Sequence, residues 1–494
     1  VRVAIAGRAE PGLPWARLRA QRDLLEIGQD LLALDAVETG ALVRAAGHAL
    51  GEDEIRALTA RTEGWAAGIY LTALGRERGE TPRGRVHGIP GDRGYVAAYL
   101  RSEIGRGVDD TDMAFLTRTS VLETISAPVA EAVTRMPGAE ERLRSLAGGN
   151  LLVQDLGGSP ASYRYHNLLR DFLSSELERR EPGVTPELHR RAALWFSAVG
   201  NPDRAIGHAL DGGHVDDAAR LVTAAALPTY FGGQPATLDG WLHGLPVPVF
   251  SRHPPLAVIA AWVHLINGRP AAADAMADLT EHASFEGLPG DGAASFESQR
   301  AMLRAVMNRR GPRDMLANAE LAVAQEHPDS LWRSNALWLL ASAHLLQGAT
   351  GQADALYAEA IAAGPQSPGA ATTSLAARAS IAMARSDWEA AARHVRESQA
   401  LIEAAQLGEM VNSLLTHAVA ARVAIHAGDL VRGREDLVRA QLIRPLASHG
   451  LPWYSVHALI EIARAHLAIS NAAGAQVVVR EAEQILRRRP AQGV

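Results

Sequence analysis

The sequence contains no cysteine and no lysine, and each absence excludes a class of chemistry. Without cysteine the chain has no disulfide, no thiolate metal site and no cysteine nucleophile. Without lysine it has no Schiff-base residue and no Walker A phosphate-binding lysine, and all 49 residues counted as Lys+Arg are arginine. We therefore assign no catalytic residue and expect that this chain alone is not an enzyme.

Long apolar runs and a strong net charge are also missing. No apolar run reaches the roughly 20 residues that a transmembrane helix needs, and the net charge of −6 argues against non-specific binding to nucleic-acid phosphates. The 18 histidines are scattered and lack the close ligand spacing of a metal site. We expect a cytoplasmic protein with no membrane contact and no bound metal.

The residues that dominate are alanine, leucine, arginine and glutamate, whereas aromatic residues make up 5% of the chain. This composition favours helices and predicts a mainly α fold. A chain of 494 residues exceeds one hydrophobic core, which indicates several domains or a repeat array. The exception is Val3-Ala4-Ile5-Ala6, which is typical of a short buried strand. Because a strand needs a sheet, we expect that the chain is a fragment of a longer protein.

Local signals organise the first 200 or so residues. Asp35 and Glu38 have the spacing of a capping box at a helix start, and Gly64-Trp65 interrupts the helical pattern. Two short apolar runs flank Gly157-Gly158-Ser159-Pro160, which predicts a β-hairpin that follows helices. This hairpin would be the wing of a winged-helix domain.

The C-terminal half shows a regular repeat. Turn residues separate pairs of helix-like runs at intervals of 43, 37, 38, 42 and 42 residues, which is the signature of an α-solenoid. In the last repeat Val456, Leu459, Ile460, Ala463 and Leu467 follow the spacing of one buried helical face. The turn residues are Gly268, Gly311, Gly348, Ser386, Gly428 and Ser470.

Aromatic side chains along this array either line a concave surface for a ligand or form the core between repeats. Trp338 lies within an apolar run and is predicted to be core. Trp453 and Tyr454 follow Gly450-Leu451-Pro452 at a helix entry, so they are the candidates for exposure and effector binding, with core packing as the alternative. The run Arg487-Arg488-Arg489 is predicted to be a solvated helix end, with phosphate contact as the alternative.

Three segments before residue 220 carry a specific resemblance. In order and spacing they resemble the large ATP-dependent LuxR-type transcriptional regulators, a maltose-regulator-like branch of the STAND signalling NTPases. The segments are Gly7-Arg8-Ala9-Glu10-Pro11, Thr62-Glu63-Gly64-Trp65-Ala66-Ala67-Gly68, and Tyr163-Arg164-Tyr165-His166-Asn167-Leu168-Leu169 followed by Leu188-His189-Arg190-Arg191-Ala192.

The resemblance implies an NTPase module that holds ADP at rest, a winged-helix domain, and a TPR-like helical arm that senses an inducer. ATP and inducer then permit self-association, and a C-terminal LuxR-type helix-turn-helix binds promoter DNA. In this family the Walker motifs would precede Val1 and the helix-turn-helix would follow Val494. We therefore expect both to be absent from this chain.

The resemblance also implies four nucleotide-binding residues. Arg8 resembles the end of the sensor strand that faces the γ-phosphate, and a solvated loop residue is the alternative. Gly64 and Trp65 occupy the family's Gly-x-Pro position beneath the adenine, where Ala66 replaces proline, and Trp65 has core packing as its alternative. His166 resembles the histidine that reaches the ADP β-phosphate, and a core histidine is the alternative.

These patterns predict the end of an α/β STAND NTPase module, a winged-helix domain and a TPR-like α-solenoid arm. The predicted domains are residues 1–75 as the end of the NTPase module with a helical subdomain, 76–94 as a linker, 95–190 as the winged helix, 191–250 as linker helices of the arm, and 251–490 as the sensor repeats.

The predicted function is that of a signal-responsive transcriptional regulator switched by ATP and ADP. Its partners would be a small-molecule or protein effector on the arm, further copies of the activated chain, and promoter DNA through the missing C-terminal domain. The alternative is a non-catalytic TPR-like scaffold for protein interactions.

Overall fold

The computed structural model describes residues 15–21, 24–25, 27, 29–76, 94–104, 108–148, 152–364 and 367–492. Over these ranges the chain is mainly α, as predicted. It divides into two compact units, Val1–His214 and Val215–Val494. The predicted strand at Val3-Ala4-Ile5-Ala6, and Arg8 with it, lie outside the described residues.

The described part of the first unit contains twelve helices and three strands. The helices are α1 (Trp15–Gln21), α2 (Gln29–Leu32), α3 (Ala36–Ala45), α4 (Glu52–Thr62), α5 (Ala66–Arg76), α6 (Tyr95–Ile104), α7 (Asp110–Thr119), α8 (Ala127–Thr134), α9 (Ala139–Gly148), α10 (Asn167–Arg180), α11 (Thr185–Ala198) and α12 (Pro202–Asp211). The strands are β1 (Ile125–Ser126), β2 (Val153–Gly157) and β3 (Ser162–Tyr165).

The strands form one antiparallel sheet in the order β1-β3-β2. The hairpin β2–β3 confirms the predicted wing, with Val153 opposite Tyr165. Strand β1 was not predicted, because a strand of two residues is too short to show a period. Buried side chains of α7, α8 and α10 supply the core of this domain, among them Phe115, Val129 and Leu173.

Helices α3, α4 and α5 form a small cluster that contacts the winged-helix domain through α6 and α10. The predicted capping box at the start of α3 is confirmed. The Glu38 amide donates to the Asp35 carboxylate at 2.8 Å, and the Asp35 amide donates to Glu38 at 3.1 Å.

The second unit begins with α13 (Val215–Phe231), α14 (Pro235–Gly244) and α15 (Pro248–Arg252). Six helical hairpins follow, in which each helix packs against the next one along the chain. They are α16 (Pro254–Ile266) with α17 (Pro270–Glu281), α18 (Phe296–Met307) with α19 (Pro312–Gln325), α20 (Arg333–Leu346) with α21 (Thr350–Ala362), α22 (Pro368–Ala384) with α23 (Trp388–Ala404), α24 (Leu414–His426) with α25 (Leu430–Ile443), and α26 (Pro452–Ala468) with α27 (Ala472–Arg488). Short 3-10 helices occupy Val411–Ser413, Arg444–Leu446 and Pro490–Gln492.

The repeat prediction is confirmed at the level of single turn residues. Each of the six predicted positions lies between the two helices of one hairpin and has a positive φ. At five of the six positions this left-handed conformation ends a helix and reverses the chain. Gly311 instead precedes α19, and the left-handed residue that ends α18 is Asn308. The φ values are 65° at Gly268, 99° at Gly311, 80° at Gly348, 61° at Ser386, 83° at Gly428 and 61° at Ser470.

The first helices of successive hairpins also pack on one another, so they form an inner layer. Inner helices are therefore buried on more than one side, whereas outer helices bury a single stripe, such as Ala475, Val478 and Ala482 on α27. The single face predicted for α26 is accordingly wrong at Ile460 and Leu467, which are 40% and 60% exposed. A helix with neighbours on two sides does not follow a one-stripe pattern.

The last hairpin returns to the first two hairpins. The guanidinium of Arg489 donates to both carboxylate oxygens of Asp274 on α17, at 2.6 and 2.8 Å. The Gln492 side chain bonds to Asn308 at the end of α18, and the Trp453 indole N–H donates to the Val306 carbonyl at 3.0 Å. The prediction that Arg489 is solvated is wrong, because this closure buries its side chain to 17% exposure.

Among the helices that the structure describes, none combines the length and the apolar character needed to span a bilayer.

Candidate functional site

The turn between α4 and α5 is the first candidate site, because two of the predicted nucleotide-binding residues lie in it. Glu63 and Gly64 both have positive φ, at 48° and 74°. A Cβ atom on Gly64 would lie 2.6 Å from the Leu34 carbonyl oxygen, and the Leu34 amide donates to the Gly64 carbonyl at 2.8 Å. Only glycine combines this conformation with so close a backbone neighbour.

His166 contacts this turn from the winged-helix domain. Its side chain is fully buried at the N-terminus of α10. Its Nδ1 accepts a hydrogen bond from the Leu168 amide at 3.2 Å, so Nε2 carries the proton and donates to the Thr62 carbonyl at 3.0 Å. Burial lowers the pKa of His166 below its ordinary value, against the opposing effect of Glu63. The imidazole is therefore neutral and uses both nitrogen atoms.

An ion pair joins the same two segments. The Arg164 guanidinium on β3 donates to both carboxylate oxygens of Glu63, at 3.0 and 2.7 Å, and the Asn167 amide donates to Glu63 at 3.0 Å. Burial alone would raise the pKa of the Glu63 carboxyl, but Arg164 and Asn167 more than offset it, and the pKa lies below its ordinary value. Glu63 and His166 thus make adjacent links between the α4–α5 turn and the winged helix, which we call the turn lock.

Trp65 packs beside the turn lock. Its ring lies 5.7 Å from that of Tyr99 and 5.9 Å from that of His166. A Cβ atom on Gly68 would approach the Trp65 ring to 2.6 Å, so α5 also lies close against it. The structure therefore brings Gly64, Trp65 and His166 together, while Arg8 lies outside the described residues.

The turn lock does not by itself form a phosphate site. Both nitrogen atoms of His166 already have protein partners, so a contact with phosphate requires release of the Thr62 carbonyl. The nucleotide-binding roles of Arg8, Gly64, Trp65 and His166 stay predictions.

A second candidate site lies among the inner helices of the repeats, and we call it the axial cavity. Its volume is about 90 Å³, and its lining comes from α13, α14, α16, α20, α22, α26 and the segment before α24. No charged side chain is among its described lining residues. The lining includes six aromatic side chains, namely Tyr230, Phe231, Trp262, Trp332, Trp338 and Tyr454.

Two polar atoms at the wall of the axial cavity lack a partner among the described residues. They are the indole Nε1 of Trp262 and the hydroxyl Oγ of Ser367, both of which are buried. By contrast, the Tyr230 hydroxyl donates to the Asn412 side chain at 3.1 Å. A buried polar group without a partner costs about 1–3 kcal/mol, so this wall is suited to a ligand or water that pairs with it.

A larger opening, which we call the axial groove, lies at the other end of the inner helices. Its volume is about 870 Å³, and it is lined in part by the charged side chains of Arg385, Glu461 and Arg464. Trp338 lines the axial cavity and Trp453 lines the axial groove. Because their ring centroids are 5.3 Å apart, this pair stands between the two spaces.

The predicted exposure of Trp453 and Tyr454 is wrong, because the side chains are 7% and 3% exposed. The returning last hairpin buries Trp453, and the Tyr454 hydroxyl donates to the Val411 carbonyl at 2.8 Å. Their effector-binding role stays a prediction, since Tyr454 lines the cavity and Trp453 lines the groove. Trp338 is buried, as predicted.

A cluster that the sequence analysis missed lies in the first unit. The Nδ1 atoms of His189 and His208 are 3.0 Å apart, and Asp211 is close enough to share a metal ion with them. Burial lowers the pKa of His189, and it lowers that of His208 to about 4. A hydrogen bond between two neutral imidazoles accounts for the short distance. The residues come from two helices, so no local spacing could reveal the pair.

Comparison with known proteins supports the resemblance. Residues 101–185 match the MalT winged helix domain. The serine/threonine-protein kinase PknK of Mycobacterium tuberculosis is 28% identical over 333 residues, which cover 67% of this chain and 30% of that protein. The transcriptional regulator MalT of Vibrio campbellii is 26% identical over 336 residues, which cover 67% of this chain and 37% of that protein.

A solved structure, a STAND protein with a tetratricopeptide repeat sensor from Pyrococcus horikoshii, is similar with a TM-score of 0.47 and 13% identity. The alignment covers 93% of this chain and 74% of that one. The chain spans about a third of the length of the curated relatives named above. The chain is therefore similar to MalT in its winged-helix domain, and it is similar to MalT regulators over two thirds of its length.

Proposed function

We propose that this chain is the winged-helix and effector-sensing part of a signal-responsive transcriptional regulator of the STAND class. The turn lock carries the proposal. It joins the helical segment before the winged helix to β3 and α10 through a buried histidine and a two-pronged ion pair. Such a contact can serve as a switch if a second arrangement breaks it, because a switch requires two discrete states.

In this proposal ATP and ADP bind mainly to residues that precede the described part of the chain, and the turn lock transmits the nucleotide state. The helical repeats receive the effector, activated copies self-associate, and a LuxR-type helix-turn-helix elsewhere in the full protein binds promoter DNA. The working compartment is the cytoplasm. The chain itself carries no catalytic residue in the proposal.

The kinase activity in the name of PknK is not proposed here. Protein kinases use a lysine to position the ATP phosphates, and the 494 residues contain none. The similar segment covers 30% of PknK.

The test uses the full-length protein that the gene encodes. Glu63→Gln and Arg164→Gln each break the ion pair of the turn lock, and labelled ADP and ATP are titrated into each variant. We expect the ratio of the two affinities to change by about tenfold or more, because a hydrogen bond to a charged group contributes about 1.5 kcal/mol or more. A promoter reporter should show altered activity without effector.

Arg144→Gln is the matched control, because it removes an exposed pair with Glu140 within the winged-helix domain. It should leave both affinities and the reporter unchanged. A full-length protein that binds neither nucleotide, or lock variants that behave like the control, would contradict the proposal and favour the scaffold alternative.

A further inference from the structure

We infer that the axial cavity binds an uncharged, mainly apolar small molecule that contains a ring and a hydrogen-bond acceptor. This inference rests on the proposed function, because it gives the chemical class of the effector. It assigns two polar contacts, the indole N–H of Trp262 and the hydroxyl of Ser367.

The absence of charge on the described wall decides that the ligand is uncharged. A charged ligand would lose its hydration without gaining a partner of opposite sign, which costs several kcal/mol or more. This condition argues against phosphorylated or carboxylate effectors in the axial cavity. The axial groove does not require an uncharged ligand, because Arg385 and Arg464 lie at its wall.

The aromatic lining of the axial cavity favours a ligand that contains a ring. Flat side chains such as Trp262 and Trp332, whose ring centroids are 6.0 Å apart, offer faces and edges to a flat ligand. The volume of about 90 Å³ is smaller than the roughly 150 Å³ of an engineered apolar cavity that binds benzene. The space therefore excludes a peptide and limits the ligand to a single ring.

The unpartnered polar atoms indicate that the ligand carries a hydrogen-bond acceptor. The Trp262 indole can only donate, so its partner must be an acceptor such as a carbonyl oxygen. Ser367 can donate or accept, and its residue is 2% exposed, so bulk water does not satisfy it. Both residues line the axial cavity, so a ligand in the cavity lies beside them.

The first turn of α22 packs closely against part of this wall. A Cβ atom on Gly369 would lie 2.7 Å from the Asn412 amide nitrogen, and Asn412 in turn accepts from the Tyr230 hydroxyl. The wall is therefore a packed arrangement from three distant parts of the sequence. Such a wall is formed before the ligand arrives, as is usual for small-molecule sites.

The experiment measures binding of two probes to the 494-residue chain by calorimetry. Acetophenone has a ring and a carbonyl acceptor, and ethylbenzene has the same carbon skeleton without the carbonyl oxygen. We expect acetophenone to bind more tightly, and we expect Trp262→Phe and Ser367→Ala each to weaken its binding by about three- to tenfold. Ethylbenzene binding should change by less than about twofold, since it makes no such hydrogen bond.

Trp388→Phe is the matched control, because Trp388 stacks on His426 and does not line the axial cavity. Ala370→Leu fills part of the cavity and should weaken both probes, provided that circular dichroism shows a native helix content. If neither probe binds, or if Trp262→Phe and Ser367→Ala bind acetophenone like the control, the inference is wrong and ordered water accounts for the two atoms.

These readouts do not depend on nucleotide or DNA. Probe binding with an inactive reporter would contradict the regulator function and leave the site intact. A nucleotide-switched regulator whose cavity binds neither probe would contradict the inference alone.

Discussion

The imidazole of His166 and the carbonyl of Thr62 share a hydrogen bond of 3.0 Å that joins two segments 104 residues apart. The same ring accepts from the Leu168 amide and so also caps α10. This buried side chain therefore links the winged-helix domain to the end of α4, beside the ion pair of Glu63 and Arg164.

We expect His166→Ala to destabilise the first unit by about 2 kcal/mol or more. It removes a helix cap, leaves the Leu168 amide without its partner and creates a cavity. Urea unfolding followed by circular dichroism measures the effect. His243→Ala, which changes an exposed histidine bonded only within its own helix turn, should alter stability by less than about 0.5 kcal/mol. Equal effects of the two substitutions would show that His166 does not link the segments.

Acid should destabilise the protein in a defined pH range. Burial lowers the pKa values of His166, His189 and His208 in the folded state, to about 4 for His208. The unfolded chain therefore binds more protons below about pH 6.5, so stability is full above this pH and falls as the pH decreases toward about 4. Thermal melting between pH 7.5 and 4.5 should show this decrease, and His208→Gln should reduce its slope. A melting temperature that rises on acidification would contradict the predicted direction of the pH dependence.

The positive φ values in the hairpin turns predict one stabilising and one destabilising substitution. Ser386 has a φ of 61°, whereas the turns at Gly268, Gly311, Gly348 and Gly428 contain glycine. Ser386→Gly should stabilise the second unit by about 0.5–1 kcal/mol, because a left-handed conformation costs a residue with a Cβ atom. Gly348→Ala should destabilise it by about 1 kcal/mol, with no steric contribution because no atom lies within 4 Å of the added Cβ. Urea midpoints of the two variants moving in the same direction would be inconsistent with this account.

The closing contact of the repeats should contribute measurably to stability. Arg489→Gln removes the hydrogen bonds from one guanidinium nitrogen to both carboxylate oxygens of Asp274, which join the last hairpin to the first, and we expect a loss of about 1–2 kcal/mol. The neighbouring Arg487→Gln affects only an exposed pair with Glu483 in its own helix and should cost less than about 0.5 kcal/mol. Differential scanning calorimetry on both variants makes the comparison, and equal melting temperatures would argue against the closure.

Replacement of Gly64 should disturb the turn lock through the backbone. In Gly64→Ala the new methyl group would overlap the Leu34 carbonyl, and the residue would keep an unfavourable positive φ. We expect a loss of about 2–3 kcal/mol in the first unit. Gly138→Ala is the control, because Gly138 also has a positive φ but has open space around it. The Gly64 variant should lose clearly more stability in urea than this control.

Much of the fold followed from local sequence patterns. The capping box at Asp35, the wing hairpin and the turn residues of the repeats depend on neighbours within a few positions, and the structure confirms them. The one-stripe pattern failed on α26, since Ile460 is exposed at the axial groove. Periodicity shows that a helix has a buried side, but it does not count the neighbours that the helix will have.

The candidate sites could be anticipated only in part. The resemblance singled out Gly64, Trp65 and His166, and the structure places them together in the turn lock. It did not indicate that both nitrogen atoms of His166 have protein partners. Ser367 carried no local signal. Trp262 was one of the aromatic residues of the array with ligand lining and core packing as alternatives, but an apolar helix has the same pattern whether or not its indole N–H finds a partner.

The sequence by itself determined the helical class, the period of the repeats and the position of each reversal, because these depend on composition and on single residues with special backbone conformations. Only the tertiary structure decided that the last hairpin returns to Asp274 and that Trp338 and Trp453 separate two spaces. Those contacts join residues more than a hundred positions apart. They arise from small rotations summed over six hairpins, which no local pattern encodes.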